Sequence, residues 1–167
     1  MNYDQLAPDS TLGIIVGTAN GTKNRWEDGP GLLLTLSGMM VSGKLMPGWQ
    51  WYEEVEKQLR DAYVAGGGDP ENEDAGWAKL FKDIGQRIQK QRDEEDAAAD
   101  AAEGLASRYQ KALAEQSPTA FIHLRDARIY APGQEGVPGK GMHWRGRLSE
   151  IAGWSFILLG TATQHDL

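Results

Sequence analysis

Two stretches in the last third of the chain constrain its fold most. They are Phe121-Ile-His-Leu-Arg-Asp-Ala-Arg-Ile-Tyr130 and His143-Trp-Arg-Gly-Arg-Leu-Ser-Glu-Ile-Ala-Gly-Trp154. Each alternates apolar and polar side chains, and a Pro- and Gly-rich connection joins them. A period of two turns successive side chains to opposite faces, so the pattern predicts paired antiparallel strands with one buried and one wet face. The wet face is crowded with Arg, His and Tyr, whereas the chain as a whole is acidic, with a net charge of -7. Residues 118–167 carry four acids and five bases; residues 53–117 carry sixteen acids and nine bases. A polyanion would be repelled everywhere except at these C-terminal strands, because each phosphate contact needs a Lys or Arg.

Upstream, Leu32-Leu-Leu-Thr-Leu-Ser37 and Met39-Met-Val-Ser-Gly-Lys-Leu-Met46 flank Gly38. This predicts a second hairpin with a tight turn at Ser37-Gly38. Leu32, Leu34 and Leu36 share one face, as do Val41, Gly43 and Leu45, and Gly43 marks a bend or bulge. Trp51, Tyr52, Val55, Leu59, Ala62 and Tyr63 recur at helical spacing, so about 49–65 reads as an amphipathic helix stopped by Gly66-Gly67-Gly68. Before the first hairpin, Asp9-Ser10 can cap a short helix through Leu12, Ile14, Ile15, Val16 and Ala19, but Gly13 and Gly17 weaken it and a strand is the alternative.

Residues 74–116 form a long acidic helical segment. Trp77, Phe81, Ile84 and Ile88 make its apolar stripe, and no proline interrupts the run. Unbroken, it would be roughly 60 Å long. It either stands out as an arm or folds back near Gly85 or Gly104, with residues 89–96 as an exposed or disordered tip. Ile151 through Leu159 is expected to form a final strand. The fold class is α+β: a small curled antiparallel sheet or partly open barrel of about five strands, with packed helices and the acidic helical insertion. The length of 167 residues supports one domain over residues 1–167.

Composition narrows the chemistry. Without cysteine there is no disulfide, thiolate nucleophile or Cys-based metal site. The start of the chain lacks the basic and apolar regions of a secretion signal, which predicts a cytoplasmic protein. His123 and His143 are close enough in the hairpin pattern to suggest metal ligation, but a third ligand is not apparent, and both read as surface groups on the polar face. Ser149 and Ser155 have no nucleophile motif around them, and the glycines of 133–141 precede no helix that would bind a phosphate. No catalytic residue, metal or cofactor is expected, and the chain reads as a non-enzyme. Arg125, Arg128, Arg145 and Arg147 are the candidate partner-binding residues, since guanidinium groups bind carboxylates and phosphates bidentately. The alternative is that they pair with Asp126, Glu135 and Glu150 within the sheet. Trp144, on the face opposite Arg145 and Arg147, is assigned to the core.

Three of these segments also resemble a known family. Leu34-Thr-Leu-Ser-Gly-Met-Met-Val-Ser-Gly-Lys-Leu45 followed by Tyr52-Glu-Glu54, then Phe121–Tyr130, and most specifically Trp144-Arg-Gly-Arg-Leu-Ser-Glu-Ile-Ala-Gly-Trp154, are similar in order to the gas vesicle accessory protein U (GvpU-like) family. The glycine-rich N-terminus and the long acidic segment depart from it. The resemblance implies a non-enzymatic accessory protein that associates with gas vesicle proteins or the vesicle surface, influences their clustering or assembly, and is vesicle-associated in the cytoplasm. It implies no catalytic residue. Self-association into a homo-oligomer through an edge strand is expected, and membrane insertion is not. A second, architectural resemblance is to Sm-like small barrels, which form rings and bind RNA or protein partners.

Overall fold

The computed structural model describes residues 9–72, 76–101 and 120–156. Helix α1 (Ser10–Gly21) opens it, which decides between the helix and the strand expected there. The Asp9 carboxylate accepts a hydrogen bond from the Leu12 amide at 2.9 Å, satisfying one of the donors a helix start leaves free. Leu12, Val16 and Ala19 fall one turn apart and bury one side of the helix against the sheet, while Ile14 points out.

Strands β1 (Gly31–Leu36) and β2 (Met39–Leu45) form the expected hairpin, with Leu36 opposite Met39. Ser37 (φ 43°) and Gly38 (φ 84°) both take left-handed conformations, the turn whose twist suits two adjacent strands. Strand β3 (Phe121–Tyr130) pairs with β2 on one side and with β4 (Val137–Arg147) on the other. A helical turn at Leu148–Glu150 then ends β4, and the short strand β5 (Gly153–Ser155) returns to pair with β1. The antiparallel order is β4-β3-β2-β1-β5, an open sheet with β4 and β5 at its edges. The alternating run His143–Trp154 is therefore two strands divided by a turn. The final strand is shorter than expected, and residues 157–159 of it lie outside the described residues.

The curl has a local cause. The β2–β3 register shifts between Ser42 and Lys44, because β3 carries an extra residue around Asp126, which has φ 51°. The bulge passes so close to Gly43 that a Cβ there would meet the Arg125 carbonyl oxygen at 3.0 Å. Gly43 thus marks the bulge as expected, although the extra residue is on its neighbour.

One face of the sheet, with Leu32, Leu34, Val41, Leu45, Ile122 and Leu124, closes over α1, and Trp144 packs at its margin. The opposite face meets α2 (Gly48–Ala65), which packs on α3 (Gly76–Ala101). Met46, Trp51 and Tyr52 form a second apolar cluster with Phe81, Ile84 and Ile88 of α3.

Of the expected stripe on α3, Phe81, Ile84 and Ile88 make the contact and Trp77 does not. Trp77 is 71% exposed, and the residues drawn against α2 include Ala78 and Gly85. A Cβ at Gly85 would lie 3.2 Å from the Cβ of Tyr52, so small residues set how closely the two helices approach. In residues 89–96 the expected exposure holds for Lys90, Gln91, Asp93 and Glu94, but the segment is ordered helix and two of its side chains are tied down. Gln89 donates to Glu53 at 3.1 Å, and the mostly buried Arg92 donates to the Thr22 carbonyl at 3.1 Å with its guanidinium 5.6 Å over the Trp49 ring. The arm's continuation through residues 102–116 and the possible bend at Gly104 lie outside the described residues.

Candidate interaction site

The period-two pattern of β3 and β4 turns His123, Arg125, His143, Arg145 and Arg147 away from the α1 core. Helix α2 covers part of this face and leaves the rest open.

Under the cover lies a polar cluster centred on Glu54. Its Oε1 accepts from Arg125 at 2.6 Å, Gln50 at 2.9 Å and Arg25 at 3.1 Å, and its Oε2 faces His143 Nε2 at 2.7 Å. Burial pushes the carboxyl upward in pKa, but the hydrogen bonds from Gln50 and His143 and the charge of Arg125 outweigh it, leaving Glu54 below its ordinary range. Arg125 also donates to the Glu27 carbonyl at 3.0 Å, and Arg25 pairs with Glu53. Gln50 holds the backbone of Trp26 by both its amide groups, accepting at 2.8 Å and donating at 3.0 Å. One carboxylate on α2 therefore ties together the loop after α1, β3 and β4.

The Gln58 amide nitrogen lies 2.9 Å from His143 Nδ1. With that amide donating, the ring carries its proton on Nε2 and gives it to Glu54. Three donors crowd Oε1 and one group meets Oε2, so four groups converge on this carboxylate. Glu54 is thus committed to internal partners on three sides, and the arrangement works as a clamp. The depression beside it, lined by Arg25, Glu53, Lys57, Gln58, Asp61 and His143, is shallow and open.

His123 does not join this cluster and is not on the surface. It is only 6% exposed, with its ring 5.3 Å from Trp51 and 6.0 Å from Tyr52. Its partner across the strands is Arg145, not His143. Burial, reinforced by the Arg145 charge, pushes its pKa down to about 3, so it is a neutral core group. Neither of its ring nitrogens has a hydrogen-bond partner among the described residues. Alternation marks only the face a residue is on, and here aromatic rings of α2 cover that face, so the expected surface group is an interior one.

The four arginines part company. Arg125 is held by Glu54 and Glu27, and Arg128 donates to the Gly139 carbonyl at 3.2 Å. Arg145 and Arg147 are exposed, and their guanidinium carbons sit 3.5 Å and 6.0 Å from the centre of the Phe121 ring. Among the described residues neither has a carboxylate partner, so Asp126, Glu135 and Glu150 do not neutralise them. Glu54 and Gln50 escaped the sequence reading, although Gln50, Glu54 and Gln58 recur every four residues beside the aromatic stripe of α2. A polar stripe bordering aromatics was the available signal.

Among the described residues, no group of three or more His, Asp or Glu side chains could hold a metal ion, and no helix is long and apolar enough to cross a membrane. Residues 9–159 match the family model described as gas vesicle protein GvpU-like. No curated protein and no solved structure matches the chain. The match spans nearly the whole sequence, including both hairpins, α2 and the exposed arginine pair, and the chain therefore belongs to the gas vesicle protein GvpU-like family.

Proposed function

We propose that this chain is a non-enzymatic accessory protein of gas vesicles, cytoplasmic and vesicle-associated, which binds vesicles or other accessory proteins and influences their clustering or assembly. The observation that carries the reading is the family match over residues 9–159, which supplies the vesicle setting. Arg145 and Arg147 are the contact residues, because they are exposed basic groups on an otherwise acidic molecule and no carboxylate among the described residues occupies them. Arg125 and Arg128 serve behind them, holding β3 to α2 and to the start of β4.

The test is flotation of purified gas vesicles with the full-length protein. Protein is expected to rise with the vesicles at low and moderate salt, and the Arg145→Glu, Arg147→Glu double variant to be largely left behind. Clean separation of wild-type protein from vesicles would sink the vesicle-binding reading. Light scattering coupled to gel filtration tests the self-association expected of the chain, and a monomer at all concentrations would remove it.

A further inference from the structure

The same edge has a backbone as well as side chains. Strand β4 is the outermost strand of the sheet, and its outer side has no paired strand among the described residues. In an antiparallel pair, successive residues point their N–H and C=O groups alternately toward the partner and away from it. Two hydrogen bonds set the phase. The Leu148 amide donates to the Ala120 carbonyl at 3.0 Å, so Leu148, Gly146 and Trp144 turn their backbone groups inward to β3. The His123 carbonyl, opposite Arg145, accepts from the Met46 amide at 3.1 Å and so faces β2. Both observations leave Arg145 and Arg147 with their backbone N–H and C=O groups directed at the free edge.

Each of these residues thus offers an outward backbone donor and acceptor together with an exposed guanidinium, and the two repeat at the strand period. The Phe121 ring lies beneath both guanidinium groups and restricts their freedom before anything binds. We propose that the outer edge of β4 takes up an extended acidic polypeptide segment as an added strand, with carboxylates two residues apart seated on Arg145 and Arg147. The inference rests on the reading of this edge as the partner face and names the chemistry of the partner.

Charge complementarity selects this occupant. A second copy of β4 carries no Asp or Glu between Val137 and Arg147, and would bring Lys140, Arg145 and Arg147 toward their own kind. Nucleic acid could meet the guanidinium groups but has no strand backbone for the edge. An acidic extended segment satisfies both: main-chain pairing supplies affinity, and alternate side chains supply specificity.

The test uses full-length protein and three short fluorescent peptides followed by anisotropy. One alternates glutamate and valine, one has the same composition with its glutamates contiguous, and one is the alternating peptide N-methylated at every second amide. The alternating peptide is expected to bind, with roughly tenfold loss in the Arg145→Gln, Arg147→Gln variant. The contiguous and N-methylated peptides are expected to bind roughly tenfold or more weakly than the first. Circular dichroism confirms that the variant is folded. Equal binding of all three peptides, or of the N-methylated and unmodified ones, overturns the added strand in favour of charge alone. Absence of peptide binding with retardation of single-stranded RNA overturns it in favour of nucleic acid. Arginine-dependent flotation with vesicles but no peptide binding also overturns it, while leaving the partner face standing. Peptide binding without vesicle flotation supports the added strand and tells against the gas vesicle role.

Discussion

Arg125 and Arg145 lie on neighbouring strands, on the same side of the sheet, and were equal candidates from the alternation alone. Arg125 is drawn under α2, where Glu54 and the Glu27 carbonyl occupy its donors and little of its side chain meets solvent. Arg145 stands clear of α2 with an aromatic ring below and no carboxylate beside it among the described residues. The difference comes from cover, not from residue type. Where a helix lies on the strands, guanidinium groups become internal ties; where it stops, the same groups remain available to a partner.

The comparison predicts that substitutions under α2 cost stability, and substitutions on the open edge cost binding. Glu54→Ala has the largest expected effect. It strands Arg125 and His143 without their acceptor, and since about a quarter of the Glu54 side chain is exposed, the loss is about 2–3 kcal/mol, below that of a fully buried pair. Urea unfolding measures it, and a loss under about 0.5 kcal/mol would break the picture of a clamp.

His123 comes next. Its folded pKa of about 3 lies below its ordinary value of 6.5, so between those limits the unfolded chain binds the extra proton. Its contribution is therefore complete above pH 6.5 and is lost as pH falls toward 3. The loss amounts to about 2 kcal/mol between pH 6.5 and about pH 5. His123→Leu should flatten that part of the stability profile, and an unchanged slope would place the titrating group elsewhere. In Arg145→Gln the acid loss should shrink slightly, because the Arg145 charge is the secondary cause of the shift.

The same conservative change in both regions sharpens the contrast. Arg125→Lys cannot keep both the Glu54 and the Glu27 contacts and should cost about 1 kcal/mol. Arg145→Lys should leave stability within about 0.3 kcal/mol, since an exposed cation with no carboxylate partner contributes little and a lysine can still lie over the Phe121 ring. Equal losses at the two positions would mean that α2 does not separate two classes of arginine.

Most of the element plan was readable along the chain. Period two in Leu32–Leu36 and Phe121–Tyr130, helical spacing from Trp51 to Tyr63, and the turn at Ser37-Gly38 each describe a local preference that tertiary structure left in place. The readings that moved share a physical cause. Large apolar residues dominate a helical pattern and draw Trp77 into the expected α3 contact, yet Gly85 is where α3 approaches α2 closely and Trp77 is exposed. His123 and Arg92 were counted as surface groups because they are polar, yet aromatic rings from another element enclose them. The candidate site was half legible: Arg145 and Arg147 were named, while the Glu54 cluster that disposes of Arg125 was not.

By itself, the sequence determined the alternation, the turns, the helix caps and the segregation of negative charge into the middle of the chain, because these depend on a residue and its near neighbours. Only the tertiary structure decided which polar groups are spent and which are free. That outcome depends on where α2 ends above the sheet and on which carboxylate, far away in sequence, arrives beside each arginine. Arg125 and Glu54 are separated by 71 positions, and their contact exists only once the helix is laid on the strands.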